Sequence, residues 1–184
     1  HKIIETLHAN SSVSLDCEIS LECNPEHISF EKINSYAKAG INRITLGLQS
    51  LLPIKLEKIG RKNRKYNIDL LLDFFSWEGF SKGVDLIVGV PDITQDELVE
   101  DINKILLFKP QHISVYLLTL DNETALYNRM KYNHTFDDMQ YNKFKGVIKL
   151  LKENNYLHYE ISNFSQEKQE SKHNLKYWSF KPYI

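Results

Sequence analysis

The sequence predicts an α/β protein built as a partial (β/α) barrel of parallel strands. Three observations carry this. Short apolar runs and amphipathic runs alternate from residue 17 to residue 118. The run VDLIVGV at 84–90 is apolar almost throughout, as in a strand covered on both faces. Each connection between apolar runs has room for a helix, which parallel neighbours need and hairpin neighbours do not. An open doubly wound sheet is the second architecture that fits the same alternation.

The elements follow in order. The chain opens at His1 inside an amphipathic stretch carrying Ile3, Ile4 and Leu7. CEISLE at 17–22 reads as a strand, stopped by Asn24-Pro25. Ser29 caps a helix that shares Phe30, Ile33 and Ala37 on one face, and Gly40 stands where a helix ends. RITLGLQS at 43–50 is the next strand, with Ile44, Leu46 and Leu48 alternating against Thr45 and Gly47. Ile68, Leu71, Leu72 and Phe75 have helical spacing. The strand at 84–90 comes next, and Thr94 with Glu97 then forms a capping box. The helix it starts places Leu98, Ile102, Ile105 and Leu106 on one face and is stopped before Pro110. HISVYLL at 112–118 is a fourth strand. Beyond residue 120 a polar loop with a helical start precedes a helix marked by Phe144, Val147, Ile148 and Leu151. HYEISNFS at 158–165 reads as one further strand, and the closing YWSFKPYI as the start of another. The expected organisation is 1–120 as the barrel portion, and 121–184 as its last helix and strand plus the start of a downstream region. Both ends read as cut, so the chain is expected to be an internal piece of a longer protein.

Composition narrows the class. The chain has 184 residues, 42% hydrophobic and 26% charged, with a formal net charge of −1. That balance gives no electrostatic case for nucleic acid or an anionic membrane. No apolar run reaches the ~18 residues of a membrane span, and no signal-peptide pattern is present. Cys17 and Cys23 are the only cysteines. Their spacing matches no zinc or iron–sulfur motif, and they suit a reduced, cytoplasmic setting as strand residues.

In a parallel β/α architecture ligands meet the C-terminal ends of the strands. Glu22 and Gln49 end two of the strands, Asp85 lies early in the third, and Tyr116 and Thr119 lie at the end of the fourth. An acid, an amide and a second acid offer acceptors to a ligand rich in hydroxyl or amine groups, with Gly47 clearing space beside Gln49. The same groups could equally satisfy loop amides and each other, and the pattern leaves both readings open. In GRKNRK, Arg61 is a candidate partner for a ligand carboxylate and is left open by the local pattern, whereas Lys62 and Lys65 read as part of a solvated turn. His112 and His158 read as structural. His173 sits beside Asn174, Tyr177 and Trp178, a setting that suits a planar ligand or haem, or else a capped surface segment. No Ser/His/Asp set, Walker loop or dinucleotide fingerprint occurs.

Seven motifs follow one another in order: ECNP, AGINRITLGLQS, IGR, DLIVGVP, HISVYLLT, HYEISNF and HNLKYW. In this order the chain resembles the radical S-adenosylmethionine proteins related to oxygen-independent coproporphyrinogen III oxidase, over its whole length. The resemblance implies a partial barrel of the radical SAM type, holding S-adenosylmethionine and a [4Fe–4S] cluster at the strand ends. It implies that Glu22, Gln49, Arg61 and Asp85 contact S-adenosylmethionine, and that Thr119 does so through its backbone. Gln49 and Asp85 would reach the ribose, and Glu22 and Arg61 the ammonium and carboxylate of the methionine part. Within the family, HNLKYW is similar to a motif of haem chaperones, making His173 the haem-associated residue. That branch implies haem as a bound group and haem-accepting proteins as partners. The family's C-x-x-x-C-x-x-C cluster motif is not in these residues, so this chain alone is expected to be inactive in radical chemistry. Asn63 and Ile93 also depart from the family pattern. An oxidase of porphyrin biosynthesis and a non-redox barrel that only binds are the competing expectations.

Overall fold

The computed structural model describes residues 2–61, 66–130 and 136–181. Strands β1 (Ser20–Cys23), β2 (Arg43–Gln49), β3 (Ser81–Val88) and β4 (His112–Leu117) are parallel neighbours in chain order. Strand β6 (Asn163–Ser165) adds antiparallel to β4, and β5 (Leu157–His158) adds antiparallel to β6. The described sheet is therefore six-stranded, in the order β1-β2-β3-β4-β6-β5. Consecutive parallel strands joined by right-handed crossovers put their connecting helices on one face, as in a barrel. A doubly wound sheet would reverse its strand order, and this one does not through β4. The sheet is an open, partial barrel.

Helix α1 (Lys2–Asn10) precedes β1. A single 3-10 turn at Pro25–His27 and α2 (Phe30–Lys38) join β1 to β2. Helices α3 (Pro53–Lys58) and α4 (Ile68–Ser76) join β2 to β3, and α5 (Gln95–Leu106) joins β3 to β4. Helices α6 (Ala125–Met130) and α7 (Phe136–Glu153) follow β4, and α8 (Lys172–Trp178) follows the sheet. Side-chain caps start these helices where the sequence supplies them. Ser29 accepts from the Lys32 amide. Thr94 and Glu97 close a reciprocal capping box on α5. No helix among the described residues is long and apolar enough to cross a membrane.

The period-two alternation gives the sheet two unlike faces. On the outer face Ile44, Leu46, Leu48, Val84, Leu86, Val88, Ile113 and Val115 are buried. They share one core with Ile33 of α2, Leu71 and Phe74 of α4, Leu98, Ile102 and Ile105 of α5, and Val147 and Leu151 of α7. The register pairs the other set side by side: Glu22 with Thr45, Thr45 with Gly83, Gly83 with His112, and Asp85 with Ser114. The inner face is therefore polar.

Four expectations are corrected. β1 starts at Ser20, not at residue 17, and Cys17 lies before the strand. The side chain of Asn42 takes the place of a ladder there: it donates to the Cys17 carbonyl at 2.8 Å and accepts from the Ile19 amide at 2.8 Å. The segment 158–165 is not one strand but the end of β5, a turn and β6. The Tyr159 amide donates to the Asn163 carbonyl at 3.2 Å, closing the chain back on itself. Among the described residues, the aromatic run near the end starts no strand. Tyr177 and Trp178 end α8, whose Ser171 cap accepts from the Asn174 amide at 3.2 Å. Asp85 is the fifth of the eight residues of β3, because the strand begins at Ser81 rather than at 84. Helix α3 is an addition to the expected elements; Pro53, pre-set for a first helical position, starts it.

The capping box gives a direct check. Thr94→Ala should lower unfolding free energy by about 1 kcal/mol in urea titration. Glu97→Ala added to it should cost less than Glu97→Ala alone, because the two side chains act on each other.

Candidate functional site

Of the five residues expected at the rim, Glu22 and Gln49 stand at the C-terminal ends of their strands, Asp85 lies in the middle of β3, Arg61 reaches β2 from the loop after α3, and Thr119 lies just past β4. Glu22 is the third residue of β1 and Gln49 the last of β2. The pairing of β2 with β3 shifts register between Leu46 and Gln49, and Gln49 takes a φ of 66°. This bulge turns the strand end and brings the carboxamide back over Gly47. A Cβ at Gly47 would meet Gln49 Nε2 at 3.2 Å and Asn24 Oδ1 at 3.8 Å, so only glycine leaves that approach free. Arg61 reaches the same place: its Nη1 donates to the Gly47 carbonyl at 2.9 Å. Amide and guanidinium thus meet at one glycine.

Asp85 faces the same concave side from β3. Its carboxyl is hydrogen-bonded to the buried Ser114 hydroxyl of β4 and lies within electrostatic reach of Glu22. Burial, opposed by the Ser114 hydrogen bond and reinforced by the Glu22 charge, pushes the Asp85 carboxyl up to about 6. The Tyr116 hydroxyl is raised by burial first and by the Asp85 carboxylate second. No ion pair among the described residues involves Glu22 or Asp85. Two acids facing a half-open space with no cation against them suit a ligand that brings positive charge and hydroxyl donors. Thr119 lies two residues past β4 and is exposed, and the structure gives it no contact with this group. Lys62, Asn63, Arg64 and Lys65 lie outside the described residues. Ile93 is buried in the core.

His173 lies apart from the rim, in the first turn of α8. Its ring packs edge-on against Tyr177 with centroids 5.0 Å apart. It lines a cleft of about 250 Å³ with Ser14, Asp16, Cys17, Glu18 and Lys172. The helix is docked on the sheet by Glu18. That carboxylate accepts from the Lys172 and His173 amides, both at 3.1 Å, and from Arg43 Nε at 2.8 Å. Burial would raise the Glu18 carboxyl, but the His173 amide and the Arg43 guanidinium outweigh it and hold it below its ordinary value. At the other end of α8 Trp178 Nε1 donates to Glu160 at 3.1 Å. His112 is structural as expected. It is buried, bonds the Tyr159 hydroxyl at 2.7 Å, and is pushed down to about 3 by burial.

Sequence reasoning missed Ser114, Glu18 and Asp101. Ser114 shares the period-two face of His112 and Tyr116, which was a legible signal. Asp101 stands at helical spacing among Leu98, Ile102 and Ile105, an acid in an apolar stripe. Nothing local marks Glu18, whose partners lie 25 and about 155 residues away.

Among the described residues no group of three or more His, Cys, Asp or Glu side chains could hold a metal ion. Cys17 and Cys23 are free, and burial pushes the Cys23 thiol up to about 11, the reverse of a thiolate ligand. The two cysteines therefore do not fit an iron–sulfur cluster. The acidic rim, by contrast, fits a cationic nucleoside.

A family model described as the radical SAM superfamily matches residues 1–105, more than half of the chain. The chain belongs to that superfamily, a class defined by S-adenosylmethionine and a [4Fe–4S] cluster. Among curated proteins it is similar to the haem chaperone HemW of Lactococcus lactis, with 32% identity over 90% of this chain and 45% of that protein. It is similar to HemW of Escherichia coli, with 30% identity over 99% of this chain and 48% of that protein. Among solved structures it is similar to coproporphyrinogen III oxidase (HemN) of Escherichia coli. The TM-score is 0.75 at 17% identity, over 97% of this chain and 41% of that one, a likeness of fold. The chain spans about half the length of the curated relatives it matches.

The raised Asp85 value sets a pH dependence. The folded chain keeps a proton that the unfolded chain, at an ordinary 3.8, has released. Stability from this group is present below pH ~4 and is lost as pH rises through about 6. Asp85→Asn should flatten that slope and raise Tm at pH 7. Equal melting profiles for both proteins between pH 4 and pH 7 would contradict the assigned environment.

Proposed function

We propose that this chain is the S-adenosylmethionine-binding portion of a haem chaperone of the HemW kind. The observation that carries the reading is the convergence of Gln49 and Arg61 on Gly47, on the face that also carries Asp85 and Glu22, in a radical SAM fold. Asp85 and Gln49 take the ribose hydroxyls. Glu22 faces the ammonium and Arg61 the carboxylate, by charge complementarity. Thr119 adds a backbone contact beside them. The [4Fe–4S] cluster supplies the electron for reductive cleavage of S-adenosylmethionine when it is bound. Residues of this chain bind and orient the nucleoside and leave the concave face open to it.

The haem part of the reading is supported by the curated relatives, several of which are named haem chaperones, and by His173 on a helix tied to the sheet at both ends. His173 is assigned as the haem-associated residue, with haem handed to an acceptor protein in the cytoplasm. In this reading residues 1–120 form the barrel portion, and 121–184 complete it and lead into a downstream region. The oxidase reading has the fold likeness to HemN in its favour, at an identity that carries fold alone.

Full-length, cluster-reconstituted protein under anaerobic conditions tests the proposal. Asp85→Ala should weaken S-adenosylhomocysteine binding by at least about tenfold in calorimetry, the value of one or two lost hydrogen bonds to a charged group. His173→Ala should abolish stable haem binding while leaving that affinity unchanged. Consumption of coproporphyrinogen III by the wild type would favour the oxidase instead. Wild-type affinity should also drop about fourfold from pH 7.5 to pH 5.5 as a group titrating near 6 takes its proton.

A further inference from the structure

The turn that presents Gln49 is held from outside the barrel, by a helix that contributes nothing to the rim. Ser50 is fully buried, and its hydroxyl donates to Asp101 Oδ2 at 2.6 Å while accepting from the Leu52 amide at 3.0 Å. The Leu51 amide donates to Asp101 Oδ1 at 2.7 Å. Lys55 Nζ donates to Asp101 Oδ2 at 3.0 Å, with side chains 2% and 1% exposed. Asp101 itself stands on α5, within the stripe that packs on the sheet. One buried carboxylate thus takes three donors from a single six-residue stretch, 50–55.

That stretch leads straight to the second site residue. Helix α3 starts at Pro53 and carries Lys55 in its first turn. Past its end the Arg61 amide donates to the Leu56 carbonyl at 2.8 Å, and the Arg61 guanidinium returns to the Gly47 carbonyl. The chain from Gly47 to Arg61 therefore closes on itself, and Asp101 is the fixed point behind it. Gln49 at positive φ is strained for a residue with a side chain, and such strain persists only where the surroundings over-determine it. Ser50 and Leu51, immediately after it, are bound to Asp101 on both carboxylate oxygens. A core that needed only filling would carry an apolar residue at this place, as at Leu98, Ile102 and Ile105.

We infer that Asp101 is a positioning residue for the nucleoside site: it sets the turn that aims Gln49 and returns Arg61, and touches no ligand itself. The inference rests on the S-adenosylmethionine reading above. Lys55 balances the charge of Asp101 and does not hold the turn, since Ser50 and Leu51 bond to Asp101 without it.

That division of roles is what the experiment reads. Full-length, cluster-reconstituted wild type, Asp101→Asn, Lys55→Met and the double variant Asp101→Leu with Lys55→Met are titrated with S-adenosylhomocysteine by calorimetry and melted in parallel. Amide hydrogen exchange of residues 49–52 is followed in each. Asp101→Asn and the double variant should bind at least about tenfold more weakly, as expected for a misaimed site, and exchange faster at 49–52. Lys55→Met should lose Tm yet keep its affinity within about threefold. The double variant removes both buried charges, so it keeps a folded protein available if Asp101→Asn does not fold. Affinity that follows Tm alike in Lys55→Met and the Asp101 variants, or wild-type affinity in a folded Asp101 variant, overturns the inference alone. Failure of the wild type to bind S-adenosylhomocysteine overturns the site reading, and this inference with it.

Discussion

The register of the parallel strands is the constraint on which the rest depends. A strand's side chains alternate between faces, so a slip of one residue would carry every apolar group inward and every polar group into the core. Glu22 with Thr45, Thr45 with Gly83 and Asp85 with Ser114 are the pairs that keep the two sets apart. The helices enforce this from outside, since Ile44, Leu46, Val84, Leu86, Ile113 and Val115 have no exposed surface to spare. The chemistry on the concave face is a consequence. Asp85 comes within electrostatic reach of Glu22, across β2, because neither β1 nor β3 can shift along β2 without unpacking the core.

Among the described residues, the two buried ion pairs stand where the sheet alone does not determine the chain. Behind β2 and β3, Asp101 gathers Ser50, Leu51 and Lys55. Before β1, Glu18 gathers Arg43, Lys172 and His173. Each carboxylate is desolvated and each is met by several donors, the condition under which a buried ion is tolerated. Arg43 also donates to the Gln169 and Glu170 carbonyls, so the first residue of β2 anchors the segment that leads into α8. Apolar packing would hold these segments in place with less angular definition. Hydrogen bonds from a carboxylate to named amides determine where the next side chain points.

The acidic rim illustrates a trade between stability and binding. Asp85 sits half-buried beside another acid, an arrangement that costs free energy in the unliganded fold and is offset elsewhere, by the apolar layer directly behind it. Gly47 adds to this: a residue without a side chain within a strand contributes no packing, yet it permits the approach of Gln49, while its carbonyl accepts from Arg61.

The sequence by itself determined the class of the fold and the chemistry available at the rim. Alternation with period two marked β2, helical spacing marked α4, α5 and α7, and the Thr94–Glu97 pair marked a helix start, because each of these signals is local. Glu22 and Gln49 were legible as strand-end polar residues for the same reason, whereas Asp85 read as lying early in its strand and stands in the middle of it. Tertiary structure alone decided which of them meet. The bulge at Gln49, the return of Arg61 to Gly47 and the exposure of Thr119 depend on how strand ends are turned, and turns are set by partners far away in the chain. The helix in place of a final strand, the break at Tyr159, the shortened start of β1 and the roles of Glu18 and Asp101 belong to the same class. The shortened start of β1 and the roles of Glu18 and Asp101 rest on hydrogen bonds across tens of residues or more, which no window of sequence contains.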